Sequence, residues 1–126
     1  MDRQNIFDYA EKRYGTKPEY LWTSYPSYAV LRHPDNQKWY GIVMDVPKSK
    51  LGLTGTDLEM VDILDVKCEP VMADLMRKSP GFFSGYHMNK KYWISILLDG
   101  TVSEDKIWDM LDMSFMNTMK KRKKNE

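Results

Sequence analysis

Cysteine is almost absent from this chain of 126 residues: Cys68 stands alone, so no disulfide can form within it. A domain without disulfides must be held by its core, and a chain of this length can bury enough apolar surface to manage that. A lone thiol also fits a reducing compartment. Histidine is nearly as scarce, with only His33 and His87. One cysteine and two distant histidines do not make the spacing of a zinc site. There is no glycine-rich phosphate loop. No apolar run approaches the ~20 residues that cross a bilayer, and MDRQNIFDYAEKRYG lacks the apolar centre of a signal peptide. These absences lead us to expect one cytoplasmic domain with no membrane association, no metal and no cofactor.

Charge of neither sign is in large excess, since the formal net charge is +1. Its distribution is uneven. The run KKRKK, Lys120 to Lys124, holds five of the 19 basic residues, so residues 1–119 carry 14 basic against 17 acidic residues, a balance of −3. A globally cationic protein that wraps DNA is thereby excluded, and nucleic-acid binding would need a local patch. One stretch offers it. From Leu75 to Leu98 there is no Asp or Glu, while Arg77, Lys78, His87, Lys90 and Lys91 all fall there.

What the chain does have is aromatic residues (13%) and ten methionines, which fill irregular gaps and also line adaptable surfaces. Apolar spacing predicts a helix over Asp2 to Tyr14, with Ile6, Phe7, Ala10 and Tyr14 as its stripe, Asp2 as cap and Gly15 as the left-handed residue after its end. Strands are predicted near 20–24, 28–33 and 38–46, the last two joined as a hairpin across Pro34 to Gln37. In the third, Tyr40, Ile42, Met44 and Val46 alternate with Trp39, Gly41, Val43 and Asp45. Pro47 to Glu59 reads as a polar connection. Met60 to Cys68 reads as a strand with Val61, Ile63 and Val66 inward. A short helix follows in EPVMADLMRKS, then a loop, PGFFSG, that exposes Phe82 and Phe83. The last strand covers 91–98, and a final helix starts near Thr101 or Ser103, either of which can cap it. On that helix Ile107, Trp108, Leu111, Phe115 and Met119 share one face, and Met110, Met113 and Met116 project away from it. This order, with adjacent antiparallel strands, is α+β.

The segments LDVKCEP, PGFFSGYHMNKKYWISILLDG and IWDMLDMSF, with KWYGIV before them, resemble in order and spacing the signature segments of the MmcQ/YjbR family of small bacterial proteins. The likeness covers about residues 1–119 as a single domain, leaving 120–126 as a basic tail, and HMNKKYW carries most of it. The resemblance implies a frataxin-like (CyaY-like) fold, an antiparallel sheet with helices packed on one face. It also implies a DNA-binding role through a double wing of strands and loops, a role assigned to the family by structural analogy, with no established activity. One departure is Phe115 after Ser114, where members usually carry tyrosine, so any role of that hydroxyl does not transfer. Frataxin-like iron binding would want a dense acidic ridge. The nearest approach is Glu104, Asp105, Asp109 and Asp112, of which the first pair complements a helix N-terminus.

Read on their own residues, the strands suggest a surface. If Tyr92, Ile94, Ile96 and Leu98 face the helices, then Lys91, Trp93, Ser95 and Leu97 face the other way, and Trp39, Gly41 and Val43 could share that second face. The tryptophans would form a shallow platform for stacking bases, with Lys38, Lys90 and Lys91 on its rim for phosphates. The alternative is that both tryptophans are core. Lys48 and Lys50 suit a wing tip or an ordinary solvated loop. The expected nucleic-acid surface is therefore Lys90, Lys91, Lys48, Lys50, Trp93, Trp39, Tyr92 and His87. The basic tail would add non-specific attraction to DNA or simply fray.

A second class of function is a protein–protein or small-ligand module that uses a methionine and aromatic surface. A monomer is expected, with a homodimer through Met110, Met113 and Met116 as the alternative. Catalysis has the least support. His33 and His87 lack the context of a nucleophile motif, and Cys68, between Lys67 and Glu69, reads as a small buried hydrophobe.

Overall fold

The computed structural model describes residues 1–55 and 58–119, so the basic run from Lys120 to Lys124 lies outside the described residues. Helix α1 spans Arg3–Tyr14. Asp2 accepts the Asn5 amide at 3.1 Å, and the Asn5 side chain accepts the Asp2 amide at 2.9 Å, closing a capping box. Gly15, at φ +70°, ends the helix in the left-handed conformation. The strands β1 (Ala29–Arg32), β2 (Trp39–Pro47), β3 (Met60–Lys67), β4 (Phe82–Ser84) and β5 (Trp93–Leu97) form one antiparallel sheet in the order β1-β2-β3-β5-β4. Helix α2 (Pro70–Met76) begins with proline, whose missing amide costs nothing in the first turn. Helix α3 spans Glu104–Thr118 and is capped by Ser103, whose hydroxyl accepts the Lys106 amide. Thr101 instead donates its hydroxyl back to Asp99 at 2.6 Å.

The fold is α+β, as the element order predicts, but two segments differ. Residues 20–24 form no strand. Glu19 makes a single bridge to Val30, and Pro18 and Pro26 bracket a stretch that crosses the sheet irregularly. The reverse holds at PGFFSG, where Phe82–Ser84 is the edge strand β4 and Phe82 is buried in the core.

The sheet is buried on both faces. On one side Leu31, Val43, Leu64, Val66, Ile94 and Ile96 meet Ile6, Phe7 and Ala10 of α1, Ala73 of α2, and Ile107, Met110 and Leu111 of α3. The opposite side carries Val30, Ile42, Met44, Val46, Ile63, Trp93 and Leu97. Among the described residues no α-helix covers this second side. Instead Trp22 and Tyr28 from the segment before β1, Leu51 and Leu53 beside the 3₁₀ turn Lys48–Leu51, and Tyr86 and Met88 after β4 close over it. Burial on both sides explains why the central strands read as runs of apolar residues.

A β-bulge decides which residues share a face. Leu31 pairs with Gly41 but Arg32 pairs with Trp39, so Tyr40 is an extra residue in β2. Tyr40 turns into the helix-side core, and Trp39 lies on the second side with Ile42 and Met44. The expected grouping of Trp39 with Gly41 and Val43 is thus corrected: one inserted residue reverses the alternation. Ser114 of α3, fully buried, pins the bulge. It donates to the Tyr40 carbonyl at 2.6 Å and accepts the Lys67 amide at 2.8 Å.

Helix α3 is rotated from the expected orientation. Its inward face is Ile107, Met110, Leu111, Ser114 and Thr118. Met110 is 1% exposed and Met116 65% exposed, so the three methionines form no single surface. Trp108 and Phe115 lie along α1, stacked on Tyr9 at 4.1 Å and on Tyr14 at 3.9 Å. Between these rings Asp112 accepts both tyrosine hydroxyls and pairs with Arg13 at 3.1 Å, so this member of the acidic cluster is committed to joining α1 and α3.

Candidate functional site

The irregular covering of the second sheet face leaves a pocket of about 380 Å³. Its floor is Ile42 and Met44 of β2, with Trp39 beside them at the bulge. Trp22, Tyr25 and Tyr28 come from the segment that leads into β1, and His87 and Met88 from the loop between β4 and β5. Three chain segments therefore supply the lining, and most of it is aromatic. Trp22 stands at 89° to Trp39, with centroids 5.7 Å apart, and at 77° to Tyr28, at 6.0 Å. Tyr25 stacks on Tyr28 at 4.6 Å. The pocket adjoins a groove that shares Tyr25, Tyr28 and His87 and adds Asp45, Met60 and Tyr86.

Local bonds hold the loop that carries His87. Gly85 lies against β5 and donates its amide to the Trp93 carbonyl at 3.1 Å. Its own carbonyl accepts the Met88 amide at 3.2 Å and the Lys90 ammonium at 2.6 Å. Arg77 donates to the Lys90 carbonyl at 3.1 Å. Tyr86 donates its amide to Ser95 Oγ at 2.9 Å. Within this tied loop His87 adopts φ +61°, a conformation that side-chain-bearing residues seldom take. Its ring packs on Tyr86 at 4.1 Å.

Asp65 lies beneath the loop. It is fully buried, pairs across the strands with Ile42 on one side and Ser95 on the other, and accepts the Ser95 hydroxyl. Its second oxygen has no hydrogen-bond partner among the described residues. Burial pushes this carboxyl up to about 8, against the Ser95 hydrogen bond and the charge of Lys90, which favour the ionised form. Tyr28 is pushed up to about 12, first by burial and then by Tyr86, Tyr25, Asp45 and Asp65. Its hydroxyl keeps its proton at neutral pH.

The sequence-derived candidates separate in space. Trp39 and His87 line the pocket, and Trp93, 8% exposed, belongs to the core beside it. Lys90 is a strut of the loop. Lys91 and Tyr92 are exposed, the ammonium 5.7 Å from the ring centre. Tyr92 precedes β5 and is 40% exposed, which corrects its place in the buried series with Ile94, Ile96 and Leu98. Lys48 and Lys50 lie at the other end of the sheet. Pro47 pairs with Met60 and Trp93 with Lys67, so the length of β3, roughly 23 Å at ~3.3 Å per residue, separates the two lysine pairs. Lys48 also pairs with Glu59 at 3.6 Å.

Sequence reasoning missed Trp22, Tyr25 and Tyr28. The signal was the aromatic density of EYLWTSYPSY, which was open to a strand reading. Asp65 had a clearer signal, as a lone carboxyl between Leu64 and Val66 in an apolar strand.

Two buried titratable groups outside this site, His33 and Cys68, are structural. His33 is buried, shares a hydrogen bond with Thr118 Oγ1 at 2.8 Å, and is lowered by that burial. Cys68 is buried and its thiol is raised, again chiefly by burial. Among the described residues no three His, Cys, Asp or Glu side chains are placed to hold a metal ion. No described helix is long and apolar enough to cross a membrane.

Comparison with known proteins gives consistent neighbours. The YjbR family model matches residues 12–117. The chain is 44% identical over 115 residues to the uncharacterised protein YyaQ of Bacillus subtilis (strain 168), covering 91% of this chain and 96% of that one. A crystal structure of a Pseudomonas syringae protein superposes with a TM-score of 0.90 at 44% identity, covering 94% of this chain and 100% of that one. A solution NMR structure from Pseudomonas syringae gives a TM-score of 0.86 at 43% identity, with 98% and 97% covered.

Proposed function

The chain belongs to the YjbR family, and on that premise we propose that it is a non-catalytic binding protein whose recognition site is the aromatic pocket on the second face of the sheet. One observation carries the reading: four aromatic rings and His87, brought from three segments, line a pocket of the size that takes a small organic group. Aromatic side chains otherwise tend to close such space by packing on each other. Here Trp22 meets Trp39 and Tyr28 edge to face, and the rings still border open space rather than filling it. Against a catalytic role, the pocket offers no nucleophile paired with a base among the described residues.

The test uses N-phenyl-1-naphthylamine, a neutral probe that fluoresces in apolar sites. Wild-type protein should give saturable enhancement at one probe per chain. Trp39→Leu and Trp22→Leu should each weaken binding about tenfold, the scale of a lost aromatic anchor, while Trp39→Phe retains most of it. Cooperative thermal melts would verify that the variants fold. Equal probe binding by all four proteins would overturn the assignment.

The second reading is DNA binding, favoured by the exposed Lys91–Tyr92 pair in a stretch free of acidic residues. Lys91 would contact phosphate and Tyr92 would stack on a base. Lys90→Glu with Lys91→Glu should then lower affinity and make the dependence of log K on log[salt] shallower by about 1–2. An unchanged affinity and slope in the double variant would sink this assignment.

A further inference from the structure

We infer that the aromatic pocket binds a methylated ammonium group, such as that of a small quaternary amine, an inference that rests on the pocket being a ligand site. Three features of the pocket converge on this class. First, Trp39 and Tyr28 both stand nearly perpendicular to Trp22, so ring faces meet at corners rather than lying as one flat platform. A flat heterocycle uses two parallel faces. A compact, rounded cation touches faces on several sides at once, and each face carries the negative part of its quadrupole.

Second, the charged side chain that lines the adjoining groove is acidic. Among the described residues no lysine or arginine lines the pocket or the adjoining groove. Asp45 lines that groove and acts on the hydroxyl of Tyr28. Two cations that act on nearby carboxyls are already engaged. Arg3, which also faces Asp45, donates to both carboxylate oxygens of Asp62 and to the Ser27 carbonyl at 2.6 Å. Lys90, which faces Asp65, donates to the Gly85 carbonyl. An anion entering here would meet Asp45 without a partner, whereas a cation would be drawn in.

Third, the lining offers few hydrogen-bonding groups. Ile42, Met44 and Met88 supply apolar surface, and the Tyr28 hydroxyl stays neutral. A primary ammonium has three N–H donors that need acceptors. A quaternary one has none, so it gives up less hydration than a primary ammonium on entering this lining, and the ring faces offset part of what is lost.

The probes are choline and its neutral isostere 3,3-dimethyl-1-butanol, compared by titration calorimetry and by displacement of N-phenyl-1-naphthylamine. Choline should bind at least ~10-fold more tightly, because a desolvated cation–π contact adds to equal apolar burial. Asp45→Asn should weaken choline severalfold and leave the isostere unchanged. Equal binding of the two, or tighter binding of the isostere, would overturn the cation assignment while leaving a ligand pocket. So would the naphthylamine binding where choline does not. If none of the three compounds binds, the pocket reading and this inference fall together.

Discussion

Replacing Asp65 by Asn will remove most of the pH dependence of this protein's stability between pH 6.5 and 8 and will stabilise it at pH 8. The carboxyl is fully buried in the middle of β3, and burial raises it from 3.8 to about 8 in the folded chain. In the unfolded chain it ionises near its ordinary value. Below pH 3.8 both states hold the proton, and the protein has the full benefit of a neutral buried group. As pH rises from there towards 8, the unfolded state releases its proton and the folded state keeps it, so folding must take up a proton. Stability then falls by about 1.4 kcal/mol per pH unit, or about 6 kcal/mol across the window. Above pH 8 both states are ionised and the loss stops growing.

His33 works in the opposite direction. Its folded value is lowered, so its contribution is present above 6.5 and is lost as pH falls through the folded value. The slope between pH 6.5 and 8 therefore belongs to Asp65. An Asn keeps an acceptor for the Ser95 hydroxyl and never ionises. Denaturant unfolding at half-unit steps from pH 5 to 8 tests this. A flat wild-type profile, or an Asp65→Asn variant less stable than wild type at pH 8, would show that the carboxyl is charged in the folded protein.

The second large effect is expected at Gly85. A methyl group there would lie 2.7 Å from Trp93 Cβ and 2.9 Å from the Trp93 carbonyl oxygen. That oxygen is backbone and already accepts the Gly85 amide, so it cannot rotate aside. Gly85→Ala must push the loop off β5, at a cost of about 3 kcal/mol. The same displacement moves His87 and Met88 from the pocket and frees Lys90 from the Gly85 carbonyl, so probe binding should fall with stability. Gly100→Ala is the control. Its φ is +94°, but a methyl group there meets nothing within 4 Å, so the cost is only that of the backbone conformation, about 1 kcal/mol. Equal melting temperatures for the two variants would remove Gly85 from the account of the pocket.

Much of the fold was legible before any coordinates, because it rests on short-range rules. Asp2 and Gly15 bound α1 as capping chemistry requires, and Pro70 opens α2. The apolar strands β2, β3 and β5 announce themselves by composition, and Ile94, Ile96 and Leu98 face the helices as their spacing suggests. Local signals failed where several weak ones competed. EYLWTSYPSY has the residues of a strand, yet with Pro18 just before it and Pro26 within it only the Glu19–Val30 bridge to β1 forms, and the rest covers the sheet. PGFFSG has the residues of a turn, yet its phenylalanines complete the edge beside β5.

Sequence by itself determined the α+β class, the helix limits, the resemblance to one family, and the charge asymmetry that sets the acid-free stretch apart from the rest. Only the tertiary structure decided which residues share a face and what they enclose. The extra residue Tyr40 inverts the parity of β2, and no periodicity predicts where a ladder will admit a bulge. That inversion puts Trp39 over Ile42 and Met44, and chain crossing from two distant segments brings Trp22, Tyr28 and His87 to meet it. Spacing along a chain specifies neighbours within one element. Contacts between segments that are tens of residues apart depend on packing and register, which act only once the chain has folded.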